Sequence, residues 1–163
     1  MRIALCSDIH DHITHLLLAL ETARSAGCTH LLFMGDMAEL STFRTLLEEW
    51  VHPIDLVFGN NEYQLREFRK MAATRDNTTM HGEIADITLQ NRRIFFCHLP
   101  WAALKAAESG AYDAVFYGHT HAADLRSVGN TLLVNPGEIY GRQSRPSIAV
   151  YDTDTNSARH ILI

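Results

Sequence analysis

Five short apolar runs in this chain of 163 residues each stop at an Asp, His or Asn. Leu5–Ser7 runs into Asp8 and His10, Leu31–Gly35 into Asp36, and Leu56–Gly59 into Asn60. Ile94–Cys97 then runs into His98, and Val115–Gly118 into His119 and His121. A brief apolar run with such a boundary reads as a buried strand. In open α/β sheets, ligands bind outside the carboxyl ends of the strands. If these runs are neighbouring strands, seven polar side chains meet at one rim. Asp8/His10 and His119/His121 are each two apart, so an extended backbone would turn both members of a pair to one face. Gly35, Gly59 and Gly118 stand directly before three of these residues, where a chain turning off a strand needs unusual dihedrals.

Seven nitrogen and oxygen donors exceed the four of a structural zinc. They suit two divalent ions sharing a bridge, and Asp36 is the candidate because a carboxylate can offer one oxygen to each cation. Imidazole, carboxylate and amide oxygen together point to manganese, nickel, cobalt, iron or zinc rather than magnesium or calcium alone, with manganese taken first. Two ions roughly 3.5–4 Å apart can hold a bridging hydroxide and clamp phosphate oxygens through an in-line displacement. Hydrolysis of a small phosphoester is therefore the expected chemistry, with Asp36 at its centre.

Composition agrees with a globular protein: 47% of residues are hydrophobic and 20% charged, which separates the chain from disordered sequences. Lys70 and Lys105 are the only lysines and the formal net charge is −5, so the basic footprint of a nucleic-acid duplex binder is missing. The apolar start ends within a few residues at Asp8, too early for a signal sequence, and no run approaches the ~20 residues of a membrane span. Cys6, Cys28 and Cys97 are odd in number and lack ligand-like spacing, as expected for reduced, buried thiols in a cytoplasmic protein.

Organisation along the chain reads as one domain over residues 1–163. Strands over Arg2–Ser7, His30–Met34 and Ile54–Phe58 alternate with helices over Thr14–Ala26, Thr42–Val51 and Glu62–Thr74. Gly27 closes the first helix and Ser41/Thr42 caps the second. This βαβαβα order predicts a parallel sheet with covering helices. The second half predicts hairpins around Gln90-Asn91 and Gly129-Asn130, a helix over Trp101–Ser109 before a strand over Ala114–Tyr117, and a final pair over Ser147–Asp152 and Ala158–Ile163. Two packed sheets with helices outside follow.

Ser7-Asp8-Ile9-His10, Met34-Gly35-Asp36, Phe58-Gly59-Asn60-Asn61-Glu62, Phe96-Cys97-His98 and Tyr117-Gly118-His119-Thr120-His121 occur in that order, followed by Val134-Asn135-Pro136-Gly137. In these blocks the chain resembles the calcineurin-like metallophosphoesterases, in particular the compact bacterial and archaeal branch that includes small phosphodiesterases and relatives of the retromer scaffold subunit. The resemblance runs the length of the chain. It implies a four-layer αββα sandwich of two mixed sheets flanked by helices. It gives one metal to Asp8, His10 and His121, the other to Asn60, His98 and His119, and Asp36 to both. Small members are often homo-oligomers, which is the expectation here. Against the family pattern, Asn61 replaces a His that contacts phosphate and can protonate the leaving oxygen; an amide donates a hydrogen bond but no proton. Leu99 replaces a Gly, Asp11 and His12 replace a small or amide pair, and Glu138 stands where Ser is usual.

The remaining polar residues read differently. His12, two past His10, is a candidate acid at the pocket. His15, His30, His52, His81 and His160 read as surface or satisfied structural residues. Glu62 reads as an acid opening a helix or as a partner to a ligand, Arg142 and Arg145 as solvated loop residues, and Phe95, Phe96 and Trp101 as core. Two function classes remain: a phosphoesterase, or a scaffold using the same fold for protein binding. Retention of all seven donors favours the enzyme.

Overall fold

The computed structural model describes residues 1–163. The chain runs β1 (Arg2–Cys6), α1 (Ile13–Ser25), β2 (His30–Phe33), α2 (Leu40–Glu49), β3 (Ile54–Val57), α3 (Leu65–Ala72) and β4 (Thr78–Gly82). There follow β5 (Ile84–Leu89), β6 (Arg92–Cys97), α4 (Pro100–Glu108), β7 (Ala114–Phe116), β8 (Asp124–Val128), β9 (Thr131–Asn135), β10 (Ser147–Asp152) and β11 (Ser157–Leu162). One sheet has the order β11-β10-β1-β2-β3-β4 and the other β5-β6-β7-β9-β8. β1 to β4 pair in parallel, and β10 closes antiparallel on β1. In the second sheet β6, β7 and β9 are parallel, with antiparallel edges at β5 and β8.

Side-chain alternation explains why the sequence runs are continuously apolar. Along β1, Ala4 and Cys6 face helices α1–α3, while Ile3 and Leu5 face the second sheet. A strand covered on both sides has no polar face to show. Three clusters fill the three gaps of a four-layer αββα sandwich. Leu16, Leu20, Phe43, Leu46 and Phe68 pack on the first sheet; Leu32, Val57, Phe96, Phe116 and Tyr151 lie between sheets; Ala103 and Ala107 of α4 pack on Phe95, Val115 and Leu133. Each large side chain so buried contributes roughly 1.5–3 kcal/mol.

Several local expectations need correction. β4, Thr78-Thr79-Met80-His81-Gly82, is a strand that its polar sequence does not announce; it is an edge, and mostly half-exposed. α2 begins at Leu40, with no capping bond from its N-cap residue Glu39. Thr42 instead donates to Asp11 Oδ1 at 2.6 Å, and the same oxygen accepts from the Glu39 amide at 3.0 Å. Asp11 thus ties the loop after β1 to the start of α2. α3 begins at Leu65, so Glu62 does not open a helix. The Gly27 expectation holds: its φ is +76°, directly after the α1 cap residue Ala26.

His30 and His81 are satisfied, and by one carboxylate. Asp55 on β3 receives His30 Nε2 on one oxygen at 2.7 Å and His81 Nε2 on the other at 2.6 Å. Burial opposes charge on Asp55, but the two imidazole hydrogen bonds outweigh it and bring the carboxyl down from 3.8 to about 2. A depressed carboxyl stabilises the fold fully above its ordinary pKa, and that contribution fades as pH falls from about 4 toward about 2. Asp55→Asn should therefore cost on the order of 2 kcal/mol at neutral pH, in denaturant unfolding compared with wild type at each pH. The gap should close between about pH 4 and pH 2; a gap independent of pH would mean that the charge contributes nothing.

Candidate metal centre

All seven predicted side chains gather at one rim, drawn from both sheets. Asp8 and His10 follow β1, Asp36 follows β2 and Asn60 follows β3; His98 follows β6, and His119 and His121 follow β7. The local backbone differs from the extended form expected. Asp8, His10, Asp36, His119 and His121 have φ of 55°, 42°, 59°, 69° and 59°. L-residues adopt this left-handed region rarely, and clusters of it mark functional sites. The pairs converge because the chain coils tightly off the strand end. The loop backbones are locked to one another: the amides of Ile9 and His10 donate to Asp36 O at 3.0 and 3.1 Å.

The glycines also act differently from expectation. Gly35 has φ +88°, but neither Gly59 nor Gly118 has a positive φ. These two permit close approach. A Cβ on Gly59 would overlap Asp36 Oδ1, and one on Gly118 would overlap Ser7 Oγ.

Two sets of donor atoms result. In the first, single atoms of Asp8, His10, Asp36 and His121 all lie within 4.8 Å of one another. His121 Nε2 is 3.4 Å from Asp8 Oδ1, and His10 Nε2 is 3.5 Å from Asp36 Oδ2. In the second, Asn60 Oδ1 is 3.0 Å from His98 Nε2 and 2.8 Å from His119 Nδ1, with the two nitrogens 3.2 Å apart. His98 Nε2 is also 3.4 Å from Asp36 Oδ1. The two oxygens of Asp36 thus face different sets.

Charge is held here against the cost of burial. Asp8 and Asp36 are at most 1% exposed. Burial pushes the Asp8 carboxyl up. At Asp36 burial acts the same way, yet hydrogen bonds from His98 and Asn61 outweigh it and hold the group well below the carboxylate range. His98 shows the reciprocal effect: burial opposes its charge, and Asp36 raises its pKa.

Asp8 Oδ1 and His10 Nε2 are buried without a hydrogen-bond partner. Buried polar atoms are seldom left so, and these two belong to the first donor set. Around an ion with bonds of about 2.1 Å, tetrahedral neighbours sit roughly 3.4 Å apart, close to the 3.4 and 3.5 Å found in the first set; the second set is tighter, at 2.8, 3.0 and 3.2 Å. His98 Nδ1 meets Met34 O at 2.7 Å, a contact that leaves Nε2 bare toward the second set. The donors present therefore fit a metal at each set.

Partners of these donors were only partly legible. Glu138, fully buried, meets His121 Nδ1 with Oε2 at 2.5 Å, while its Oε1 accepts the amides of Gln143 and Ser144 at 2.6 and 2.5 Å. No spacing signal marks it; its one trace is that Glu138 stands where Ser is usual after Asn135-Pro136-Gly137. Glu62 takes its second expected role, accepting the amides of Met37 and Gly59 and so joining the loops that carry Asp36 and Asn60. Asn135 Nδ2 donates to Gly118 O at 2.9 Å, steadying the His119–His121 loop. Tyr140, also unmarked in sequence, lays its ring 5.3 Å from that of His10.

Asn61 joins the centre, donating Nδ2 to Asp36 Oδ2 at 2.6 Å and its amide to Oδ1 at 3.0 Å. His12 is engaged elsewhere. Its Nδ1 accepts from the His15 amide at 3.2 Å at the start of α1, and its ring stacks on His15 at 3.7 Å. Phe95 and Phe96 are core as expected, but Trp101 is 61% exposed.

Residues 1–156 match the calcineurin-like phosphoesterase superfamily domain. The chain is 26% identical over 166 aligned positions to phosphodiesterase MJ0936 of Methanocaldococcus jannaschii, covering 100% of this chain and 99% of that one. A solved archaeal phosphodiesterase superposes with a TM-score of 0.92 at 26% identity, over the full length of both chains. At the level of fold alone, the chain is similar to the Escherichia coli phosphoesterase Yfce (TM-score 0.70, 20% identity, both chains fully covered). It is likewise similar to Vps29 of Chaetomium thermophilum (TM-score 0.69, 14% identity, 100% of this chain and 92% of that one).

The Glu138 contacts generate a test of how His121 is prepared. In Glu138→Gln, one oxygen remains, and the two loop amides claim it. The new NH₂ then faces Nδ1, which must accept and move the ring proton to Nε2, the atom facing Asp8. A protonated Nε2 cannot ligate. Metal affinity should fall by about ten- to a hundred-fold, read by titration of metal-stripped protein, and ¹⁵N spectra should show the tautomer reversed. Unchanged affinity and tautomer would remove Glu138 from this role.

Proposed function

The chain belongs to the calcineurin-like phosphoesterase superfamily, and from that membership we propose a metal-dependent phosphodiesterase working through two divalent ions. The observation that carries it is the pair of donor sets meeting at the two oxygens of one buried carboxylate, Asp36. In this reading Asp8, His10 and His121 hold one ion, Asn60, His98 and His119 the other, and Asp36 both. Manganese is the favoured metal, with nickel, cobalt, iron or zinc as substitutes. Bound there, such ions lower the pKa of water and neutralise phosphoryl charge. The reaction adds water to phosphorus and breaks one ester P–O bond, releasing an alcohol and a phosphomonoester.

The chain's own groups have separate tasks. Asp8 and Asp36 supply the negative charge that retains cations in a buried place. Glu138 and the Met34 carbonyl orient the imidazoles of His121 and His98. Asn61, held beside Asp36, can donate a hydrogen bond to a phosphoryl or leaving oxygen but has no proton to give. A diester presents one negative charge fewer than a monoester dianion, so a site without a cationic side chain at position 61 favours diesters.

Metal-stripped protein given single metals should recover hydrolysis of a nitrophenyl phosphodiester, and a chelator should abolish it. Asp36→Asn offers one good oxygen and no charge. It should lose at least half of the bound metal by elemental analysis, and turnover by orders of magnitude, with the fold intact. Two ions retained at full activity would reject the bridge. If no metal raises turnover above the same ion in solution, the fold serves as a scaffold instead.

Leaving-group dependence tests Asn61. Protonation of a leaving oxygen is worth about 10²–10⁴ in rate, chiefly for alkoxides. Without an acid at position 61, rates should fall steeply from aryl to alkyl esters, and Asn61→His should raise alkyl esters and monoesters more than nitrophenyl diesters. A shallow dependence that steepens in His12→Ala would assign the proton to His12.

A further inference from the structure

Beside the second donor set lies a cavity of about 290 Å³, between the β3 loop on one side and β5, β6 and α4 on the other. Asn60 and His98 form part of its wall, so it opens directly onto the candidate metal centre. The rest is mainly apolar, with Phe58, Ile84, Leu99 and Trp101, and Glu83 is the one acidic residue of the lining. Trp101 is 61% exposed and Ile84 50%. An indole left this open on a concave wall has its apolar face unused. Lys105 Nζ sits 5.7 Å from the Trp101 ring and does not line the cavity, so its cation caps the ring from outside. Pro100 starts α4 two residues after His98, which places Trp101 on the first turn of a helix that begins beside that imidazole.

We propose that this cavity is the subsite for one ester group of the substrate, and that the group is neutral, planar and aromatic; this rests on the phosphodiesterase reading above. Three features select that occupant. The volume lies at the small end of ligand pockets, enough for one ring system. Trp101 and Leu99 offer a stacking and an apolar surface, and stacking on an aromatic side chain tolerates any π-face. Glu83 disfavours a second anion there and can accept from an N–H or O–H on the ring. A diester held at the donor sets by its phosphate would thus extend one substituent over Trp101 and leave the other toward solvent.

The test compares diphenyl phosphate with dimethyl phosphate on manganese-supplied protein, by calorimetric titration and by indole fluorescence. Trp101 is one of two tryptophans, and the other, Trp50, is 1% exposed, so quenching reports on the cavity. Diphenyl phosphate should bind at least about tenfold tighter, consistent with one stacked ring, and quench. Trp101→Ala should bring the ratio to within about twofold, and Leu99→Ser should lower it. Equal binding of the two anions, or a ratio unmoved by both substitutions, overturns the subsite and leaves the apolar rim to a macromolecular partner. Turnover of the nitrophenyl diester keeps the two ideas apart. A binding preference without turnover supports the subsite and rejects the phosphodiesterase, whereas turnover without preference does the reverse.

Discussion

Two carboxylates, Asp8 and Asp36, sit almost without solvent at the meeting point of both sheets. An ionised carboxylate taken out of water costs several kcal/mol even after relaxation, and two near each other cost more. Much of the surrounding structure can be read as a response to that charge. Asp36 is met by the amides of Asn60 and Asn61 and by the Asn61 side chain. Asp8 is met on one oxygen by the His119 amide, and its other oxygen has no partner. The compensation is therefore incomplete within the chain, on the side where imidazole nitrogens converge. In the proposed reading a cation completes it, because donor atoms of Asp8, His10, Asp36 and His121 already converge there.

Holding that arrangement requires backbone that a stability-driven sequence would avoid. Five of the seven donors occupy left-handed φ without being glycine, at a cost of order 1–3 kcal/mol each. The strain persists because neighbours over-determine it. Cross-loop amides join Asp8, Ile9 and His10 to Gly35 and Asp36, Glu62 joins the β2 and β3 loops, and Asn135 holds the β7 loop. Gly59 and Gly118 let these loops touch where a methyl group would not fit. The three gaps of apolar packing make the two sheets rigid enough to carry the load.

How much of this was legible follows the same physics. Runs such as Leu31–Met34 announced buried parallel strands because both faces are covered, and their ends announced the donors because a strand end is where polar residues first reach solvent. The Gln90-Asn91 hairpin was legible because both residues accept φ near 49° and 64°. β4 was not, since an edge strand paired on one side needs no apolar pattern. The left-handed turns were not read because the enrichment of Asp and His in that region is a weak signal, and the i,i+2 spacing suggested extended chain instead. Glu138 escaped because its importance lies in a contact with His121 across 17 positions, and spacing rules see only neighbours. Trp101 reads as core from its aromatic company, but Phe95 faces α4 and Phe96 the first sheet, whereas Trp101 sits on the first turn of α4 and lines the open cavity beside His98.

The departures from the family pattern are more informative together than singly. Asp11 has become the anchor of α2, Glu138 the partner of His121 and of the loop amides at 143 and 144, and Asn61 a donor to Asp36. Leu99 lines the apolar cavity. None of these four removes a donor atom, and the fifth departure, His12, stacks on His15. Substitution at a donor would remove an atom that the centre uses, whereas Asp11, Asn61 and Glu138 each find partners of their own outside the donor atoms' open side. Three of the four changes tighten the shell around the donors, and the fourth gives the cavity an apolar wall. The centre is thereby held fixed while its surroundings vary. In the proposed reading the reaction belongs to the donors and the choice of substrate to the shell, whose most open part is the cavity between His98 and Trp101.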